Sequence, residues 1–423
     1  MPAMSHTPTT PAYGPLDAAA VCALLDAQAA LRERLGGAPA DWRVREVGDG
    51  NLNLVFIVEG PAGALCLKQA LPYVRAAGPS WPMTPQRAFY ENAYYEAVAP
   101  HVAGRIPAIY HYDPQRYCLV MERLAPHCIL RQGLIAGRRY TQLASQVGEY
   151  VARTCFFTSV LAERFEHKMQ RMALFAGNEA LVRISVDLIF TDPYCDSPRN
   201  RHTSPELDAL AAAMRADGAL KVAAARFGQK FLTDTQALLH GDLHSGSVMV
   251  TEADSRVIDP EFAFYGPIGF DLGAFLGNLL LSWYSQPGHA TRTDDRMAYR
   301  RWILEQARTF WSTFRDCFLA LWAEHGQGDA FPRRLFSAEG DAAARRAARE
   351  AFMDALFADM LGFAACKMIR RILGFAHVAD FESIAQPALR ARCEAAALAM
   401  ARQLLTQPQS FRSMSDVIEA VSA

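Results

Sequence analysis

The chain has 423 residues, more than one hydrophobic core usually supports, so two domains are expected. Its 43 basic and 44 acidic residues leave a formal net charge of −1, a balance that gives no electrostatic footprint for nucleic acid or a membrane surface. The nine cysteines are scattered without a CxxC pair, which fits neither a zinc site nor a disulfide framework and reads as reduced thiols in a cytoplasm.

Residues 1–15, MPAMSHTPTTPAYGP, are rich in Pro and Thr and lack the basic and apolar segments of a secretory signal, so a disordered tail is expected there. Residues 42–58, WRVREVGDGNLNLVFIV, read as strand, turn and strand. Leu52, Leu54, Phe56 and Val58 alternate with Asn53, Val55 and Ile57, close to a period of two and apolar on both faces. Residues 64–69, ALCLKQ, form a further strand carrying Lys68. Residues 85–99, PQRAFYENAYYEAVA, open on a proline and form a helix carrying Glu91. Short strands at 106–112 and 117–123 complete a small strand-rich lobe over 16–123.

The texture changes after residue 124, with Pro126 as punctuation. Stretches rich in Ala, Leu and Arg at 140–165, 205–232, 295–325, 341–373 and 387–405 predict helices. A hairpin interrupts them at 247–259, turning at TEADS. The most apolar run, FLGNLLLSWY at 275–284, falls far short of the roughly 20 residues that a membrane span needs. A large, mainly helical lobe is thus expected over 124–423.

The candidate chemistry surrounds that hairpin. Asp242, in HGDLHSGSVMV, lies just before it, and Asp259 lies just after it. A hairpin returns the chain, so its two ends are neighbours. Glu261 follows Asp259 by two, and Pro260 favours an extended Asp259, so both acids would point the same way. Carboxylates that converge repel, and a divalent cation such as magnesium relieves that repulsion through oxygen ligands. In the small lobe, the turn with Gly48 and Gly50 offers bare backbone N–H groups to an anion. Lys68 would pair phosphate oxygens and Glu91 would hold the lysine. Taken together these are the parts of a nucleotide phosphotransferase with a kinase-like lobe. Asp242 would accept or orient the proton of an attacking hydroxyl, and Asp259 and Glu261 would hold magnesium. Taken singly each part has a plainer reading: GDGN as a hairpin turn, Lys68 as an edge-strand lysine, Glu91 as a solvated helix residue, His240 as a packed core histidine and His244 as a loop-shaping one. Their order and spacing favour the joint reading.

GDGNLN (48–53), SWPMT (80–84), HGDLHSGS (240–247), DPEFAFYGPIGFD (259–271), KMIRR (367–371) and GFAHVAD (374–380) together resemble the S-methyl-5-thioribose kinase family. The resemblance runs from about residue 16 to the C-terminus. It implies an α+β, bilobal, protein-kinase-like fold of the aminoglycoside phosphotransferase and choline kinase type, with a small antiparallel-sheet N-lobe and a large helical C-lobe. It implies ATP-dependent phosphorylation of the 1-hydroxyl of 5-methylthioribose, with Mg2+, in methionine salvage, by a cytoplasmic homodimer. By similarity Asp242 binds the sugar hydroxyl and acts as base. Asn51 and Asn53 lie against ATP, and Lys68, supported by Glu91, lies on its phosphates. Met121, Glu122, Arg123 and Leu124 meet adenine through backbone groups. Asp259, Pro260 and Glu261 form the metal segment. Arg370 and Arg371 serve the transferred phosphate and the sugar. Adjacent helix residues point about 100° apart, which favours one of the two arginines, Arg371, for substrate. Trp81 sits in a Pro-rich loop that the family shares, and it is expected either to cover the site or to pack between the lobes.

Two positions bear on the resemblance, Ser247, which agrees with the S-methyl-5-thioribose kinase pattern, and Arg123, which departs from it. Ser247 occupies a place where related phosphotransferases carry a metal-binding asparagine, and Glu261 would take over that duty. Arg123 stands where an acidic residue is common in the family, which bears on the adenine edge. Rival readings are another small-molecule kinase, acting on an aminoglycoside, choline or homoserine, and a nucleotide-binding pseudokinase. The arginine pair would repel a cationic substrate, and the intact Lys68, Asp242, Asp259 and Glu261 argue against a pseudokinase.

Overall fold

The computed structural model describes residues 13–48, 52–75 and 78–423. They fall into two compact units. Residues up to Asn92 together with Pro107–Arg123 form the first, and Ala93–Ile106 with Leu124–Ala423 form the second.

The first unit is built on a five-stranded antiparallel sheet. Its strands are β1 (Arg43–Glu46), β2 (Asn53–Glu59), β3 (Ala64–Ala70), β4 (Ile109–Asp113) and β5 (Cys118–Glu122), in the order β1-β2-β3-β5-β4. Two helices, α1 (Ala18–Asp26) and α2 (Ala29–Leu35), bury Val21, Leu24, Leu25, Leu31 and Leu35 against Leu54, Phe56, Val58, Leu65 and Leu67 of the sheet. Strand alternation therefore sends Lys68 to the face opposite Leu65 and Leu67. The helix α3 (Arg87–Val98) starts in this unit, and its residues from Ala93 onward belong to the second.

Part of the stretch expected as a disordered tail, residues 1–12, lies outside the described residues. Its end is tied down instead. Tyr13 Oη donates to the Ala70 carbonyl, and the Gln69 amide donates to Gly14 O at 3.0 Å. Gln69 is fully buried in mid-sheet, so its amide needs such partners.

The second unit is mainly helical. Its chain runs through β6 (Cys128–Ile129), α4 (Leu130–Ile135), α5 (Leu143–Phe157), α6 (Phe165–Phe175) and α7 (Glu179–Ser185). The expected helix over 205–232 is two helices, α8 (Asp208–Ala216) and α9 (Gly218–Thr233). Asp217 breaks it, accepting the Leu220 N–H at 3.1 Å as the N-cap of α9. Four short strands follow: β7 (Ala237–Leu239), β8 (Val248–Val250), β9 (Ser255–Val257) and β10 (Phe264–Gly266). Strands β8 and β9 form the expected hairpin, and β7 pairs with β10. The remaining helices are α10 (Ile268–Ser285), α11 (Met297–His325), α12 (Asp341–Leu373), α13 (Ala379–Glu382), α14 (Pro387–Thr406) and α15 (Met414–Ser422).

Every residue of α10 is buried, which accounts for the apolar run at 275–284 as a core helix. No helix among the described residues is long and apolar enough to cross a membrane. Helix α12 lies directly on α10, because Gly269, Gly273 and Gly277 leave no side chain between them. A Cβ at Gly273 would stand 2.6 Å from Ala364 N and from Met360 O.

Candidate active site

In the first unit, Lys68 Nζ meets Glu91 Oε2 at 2.6 Å, and both side chains are buried. Sheet register holds the lysine between Val55 and Leu119, and α3 supplies the glutamate. Burial beside a close carboxylate restricts where the ammonium points. Asn51 and Gly50 lie outside the described residues. Asn53 opens β2 and is buried, and its Oδ1 accepts from Arg87 Nε at 3.0 Å and Nη2 at 2.8 Å. Arg87 also donates to the carbonyls of Leu52 (3.0 Å), Leu71 (2.7 Å) and Thr84 (2.8 Å). One guanidinium thus joins the exit of the glycine turn to the loop that carries Trp81. That loop returns on itself, the Val74 N–H donating to Trp81 O at 3.0 Å.

Met121 is buried in β5, and Glu122 exchanges two bonds with Ala108, N–H to carbonyl at 2.8 Å and amide to carboxylate at 3.1 Å. The unusual Arg123 is paired with Glu59 at the end of β2. Leu124 begins the second unit.

In the second unit the loop between β7 and β8 carries Asp242, and several contacts shape it. Buried Asp271, in the first turn of α10, accepts the backbone N–H groups of His240 (2.7 Å) and Gly241 (3.0 Å). Burial raises its pKa even so. Gly241 has φ +83°, and a Cβ there would lie 2.1 Å from Phe262 O. The His240 ring bonds Ile258 O through Nε2 at 2.9 Å, and its Nδ1 faces the Asp242 N–H at 3.3 Å. A carbonyl only accepts, so Nε2 carries the proton and Nδ1 is the acceptor. Ser247 Oγ donates to Asp242 O at 3.0 Å, and the Ile258 N–H donates to Ser247 O at 2.9 Å. Ser247 therefore ties the start of the hairpin to its end.

The carboxylate of Asp242 is held from two sides. Lys367 Nζ reaches Oδ1 at 2.8 Å, and His244 Nε2 reaches Oδ2 at 3.3 Å. His244 accepts the Gly246 N–H at Nδ1 (2.8 Å), which places its proton on Nε2, facing Asp242. Arg371 Nη2 stands 4.0 Å from Oδ2. Burial alone would push the Asp242 carboxyl up, but Lys367, His244 and Arg371 hold it well below the usual carboxylate range. Burial pulls His244 down to about 4 and Lys367 down to about 8, each against the opposing pull of Asp242.

Lys367, Arg370 and Arg371 all lie in the last turns of α12 and all are buried. Arg371 donates to Ala376 O at 2.9 Å. The buried Nε–H groups of both arginines have no acceptor among the described residues. Burial lowers the pKa of each, and for Arg371 the neighbouring Arg370 adds to it. Both feel the charge of Asp242, and among the described residues Arg371 is the one of the two with an ion-pair contact to it. Arg131 of α4 extends the cluster, bonding Ser245 Oγ (3.1 Å), Asn278 Oδ1 (3.0 Å) and Asp380 Oδ2 (3.2 Å). Such a concentration of buried guanidinium suits a phosphate or a developing negative charge.

Asp259 departs from the expected extended shape. Its φ is +70°, and its N–H donates to Tyr95 Oη at 3.1 Å. Asp tolerates this left-handed region through its short polar side chain, and the Tyr95 bond outweighs the bias from Pro260. A carboxylate oxygen of Asp259 still comes within 4.8 Å of one of Glu261. Two carboxylates at that separation are the hard oxygen donors that magnesium takes, so the residues fit such an ion.

Arg87, Arg131, Asp271 and Lys367 were not legible as site residues in the sequence. Lys367 did carry a signal, since it precedes Arg371 by four and so shares its helix face.

The model of the phosphotransferase enzyme family matches residues 43–310. A methylthioribose kinase from Oryza sativa subsp. japonica is 44% identical over 414 residues, covering 97% of this chain and 96% of the relative. One from Escherichia coli is 45% identical over 386 residues, covering 91% and 92%. One from Yersinia pseudotuberculosis is 41% identical over 362 residues, covering 85% of each. The buried acid of the β7–β8 loop, the strand lysine with its helix glutamate and the paired arginines thus sit in a chain that belongs to the methylthioribose kinases of the phosphotransferase enzyme family.

Proposed function

We propose that the protein transfers the γ-phosphoryl group of ATP to the 1-hydroxyl of S-methyl-5-thioribose, giving the 1-phosphate and ADP in methionine salvage. The observation that carries this reading is the Asp242 carboxylate, kept ionised beside two buried arginines. Asp242 accepts the hydrogen bond of the attacking hydroxyl. The sugar oxygen forms the new bond to the γ-phosphorus as the bond to the β,γ-bridging oxygen breaks. The hydroxyl proton passes to Asp242 late in the step, because the transition state carries little bonding to the nucleophile. Arg370 and Arg371 take up the charge on the transferred group.

Lys68, steadied by Glu91, takes ATP phosphate oxygens, and Asn51 and Asn53 shape the turn that approaches them. Backbone groups of Met121–Leu124 meet adenine. Asp259 and Glu261, spaced by Pro260, hold Mg2+, which neutralises phosphate charge when bound. Family resemblance supports a cytoplasmic homodimer, and the near-neutral charge supports small-molecule partners rather than nucleic acid or a membrane.

The buried cations of α12 favour a neutral sugar over cationic choline or an aminoglycoside. The test is coupled ADP release with ATP and magnesium against methylthioribose, choline, homoserine and an aminoglycoside, with Asp242→Ala as control. Turnover with methylthioribose alone, lost in the control, is expected. Turnover with another acceptor would overturn the substrate assignment, and ATP binding without any turnover would overturn the kinase reading.

A further inference from the structure

Lys367 has no role in the phosphoryl-transfer reading above, yet among the described residues it makes the shortest side-chain ion-pair contact to Asp242. The residue is 2% exposed, and its ammonium lies 2.8 Å from Oδ1. A buried lysine needs a strong reason to be charged, because desolvation costs several kcal/mol per ion. The groups that face it are known. Asp242 comes from the β7–β8 loop, Asp271 from the first turn of α10, and Arg370 and Arg371 from its own helix. The Phe270 ring covers it at 4.4 Å. Two carboxylates favour its charge, while two guanidinium groups and burial oppose it.

Resting on the kinase reading, we propose that Lys367 is a positioning residue for transfer: its ammonium and the Nε2–H of His244 grip the two oxygens of Asp242 and fix the carboxylate plane toward the sugar hydroxyl, a grip that the charge on Lys367 strengthens. The grip is geometric. Each oxygen has one donor, so the carboxylate cannot rotate without breaking a bond, and each oxygen keeps a lone pair for substrate. His244 holds its proton on Nε2 and stays neutral, so it serves across the whole working range. Lys367 differs. Its environment brings its proton loss down to about 8, inside the range where a kinase is assayed. Above that, Asp242 keeps its charge, but the neutral amine facing Oδ1 is an uncharged and weaker donor, and that side of the grip loosens.

The test is the pH profile of kcat/KM for methylthioribose between pH 6 and 10 in the full chain, for wild type, Lys367→Arg and Lys367→Met, with melting curves for each. Wild type should lose activity on the alkaline side from about pH 8, by about tenfold per unit. In Lys367→Arg, which cannot lose its charge, that limb should move up by about one unit or more. Lys367→Met should lower kcat by about 100-fold, leave KM for ATP within about threefold, and lack the limb near pH 8. A purely structural lysine would alter stability and leave the limb in place. The proposal is overturned if either variant keeps the wild-type alkaline limb, or if Lys367→Met keeps wild-type kcat. Absence of methylthioribose turnover in wild type would instead sink the kinase reading itself, which keeps the two failures distinct.

Discussion

Arg87 grips Asn53 with two N–H donors on a single carbonyl oxygen, at 3.0 and 2.8 Å. The same guanidinium caps three backbone carbonyls, so it organises the entry to β2 and the Trp81 loop together. Arg87→Met should remove these bonds and leave buried acceptors unsatisfied. About 2–4 kcal/mol of stability should be lost, and KM for ATP should rise more than KM for the sugar. Denaturant unfolding beside steady-state kinetics checks both, and an unchanged KM for ATP would detach Arg87 from the nucleotide.

Asp242→Asn keeps the shape of the side chain and removes its charge. It takes the contact carboxylate from Lys367 and Arg371 and a nearby negative charge from Arg370. The expected result is a fall in kcat of about a thousandfold with ATP affinity kept within a few fold. Rapid-quench measurement of the transfer step, with nucleotide binding by calorimetry, separates the two effects.

The Lys68–Glu91 pair gives a prediction about coupling. Removing one partner takes a close counter-charge from the other inside a buried site, so Lys68→Met should cost about 3–5 kcal/mol. Lys68→Met combined with Glu91→Leu should cost less than the sum of the single changes. A double-mutant cycle on unfolding free energy reads this directly, and additive costs would deny the coupling.

Glu261→Gln bears on the metal segment. The amide loses the charge that a hard cation prefers. Activity should fall, and the magnesium concentration for half-maximal rate should rise roughly ten- to a hundredfold. A normal magnesium dependence in this variant would remove Glu261 from metal binding and leave Ser247 without a substitute.

His244 should set the acid side of stability. Its folded pKa, about 4, lies below the unfolded value near 6.5, so the unfolded chain binds the extra proton between them. Stability contributed by neutral His244 is present above about pH 6.5 and is lost as pH falls toward 4. Melting temperature followed from pH 7 to pH 4.5 should fall in wild type and fall less in His244→Gln. Asp242, whose folded pKa is depressed, acts with the same sign but only further into acid.

Local patterns carried much of this organisation. Strand alternation around Lys68, the β8–β9 hairpin and the long helices ending near 373 follow from periods and turn residues in the sequence. The split at Asp217 was missed because composition on both sides is helical, and a single capping aspartate ends the run. Asp259 was misjudged because the bias of a following proline is local, whereas Tyr95 Oη reaches its N–H from a distant helix. Arg131 and Asp271 were invisible for the same reason. Their partners are distant in sequence, and neither forms a pattern with its neighbours. Lys367 stands within KMIRR, where a lysine before two arginines reads as one more surface charge until burial is known.

The glycines of α10 have a consequence for the reactive groups. Gly269, Gly273 and Gly277 contribute no atoms to the seam with α12, yet the width of that seam decides how far Lys367, Arg370 and Arg371 stand from Asp242. A methyl group at Gly273 acts as a wedge, and α12 is one rigid rod, so all three cations must retreat together. A remote alanine would then mistune the acid as surely as a mutation beside it. The strength of the field at Asp242 is set, in this fold, by side chains that are missing.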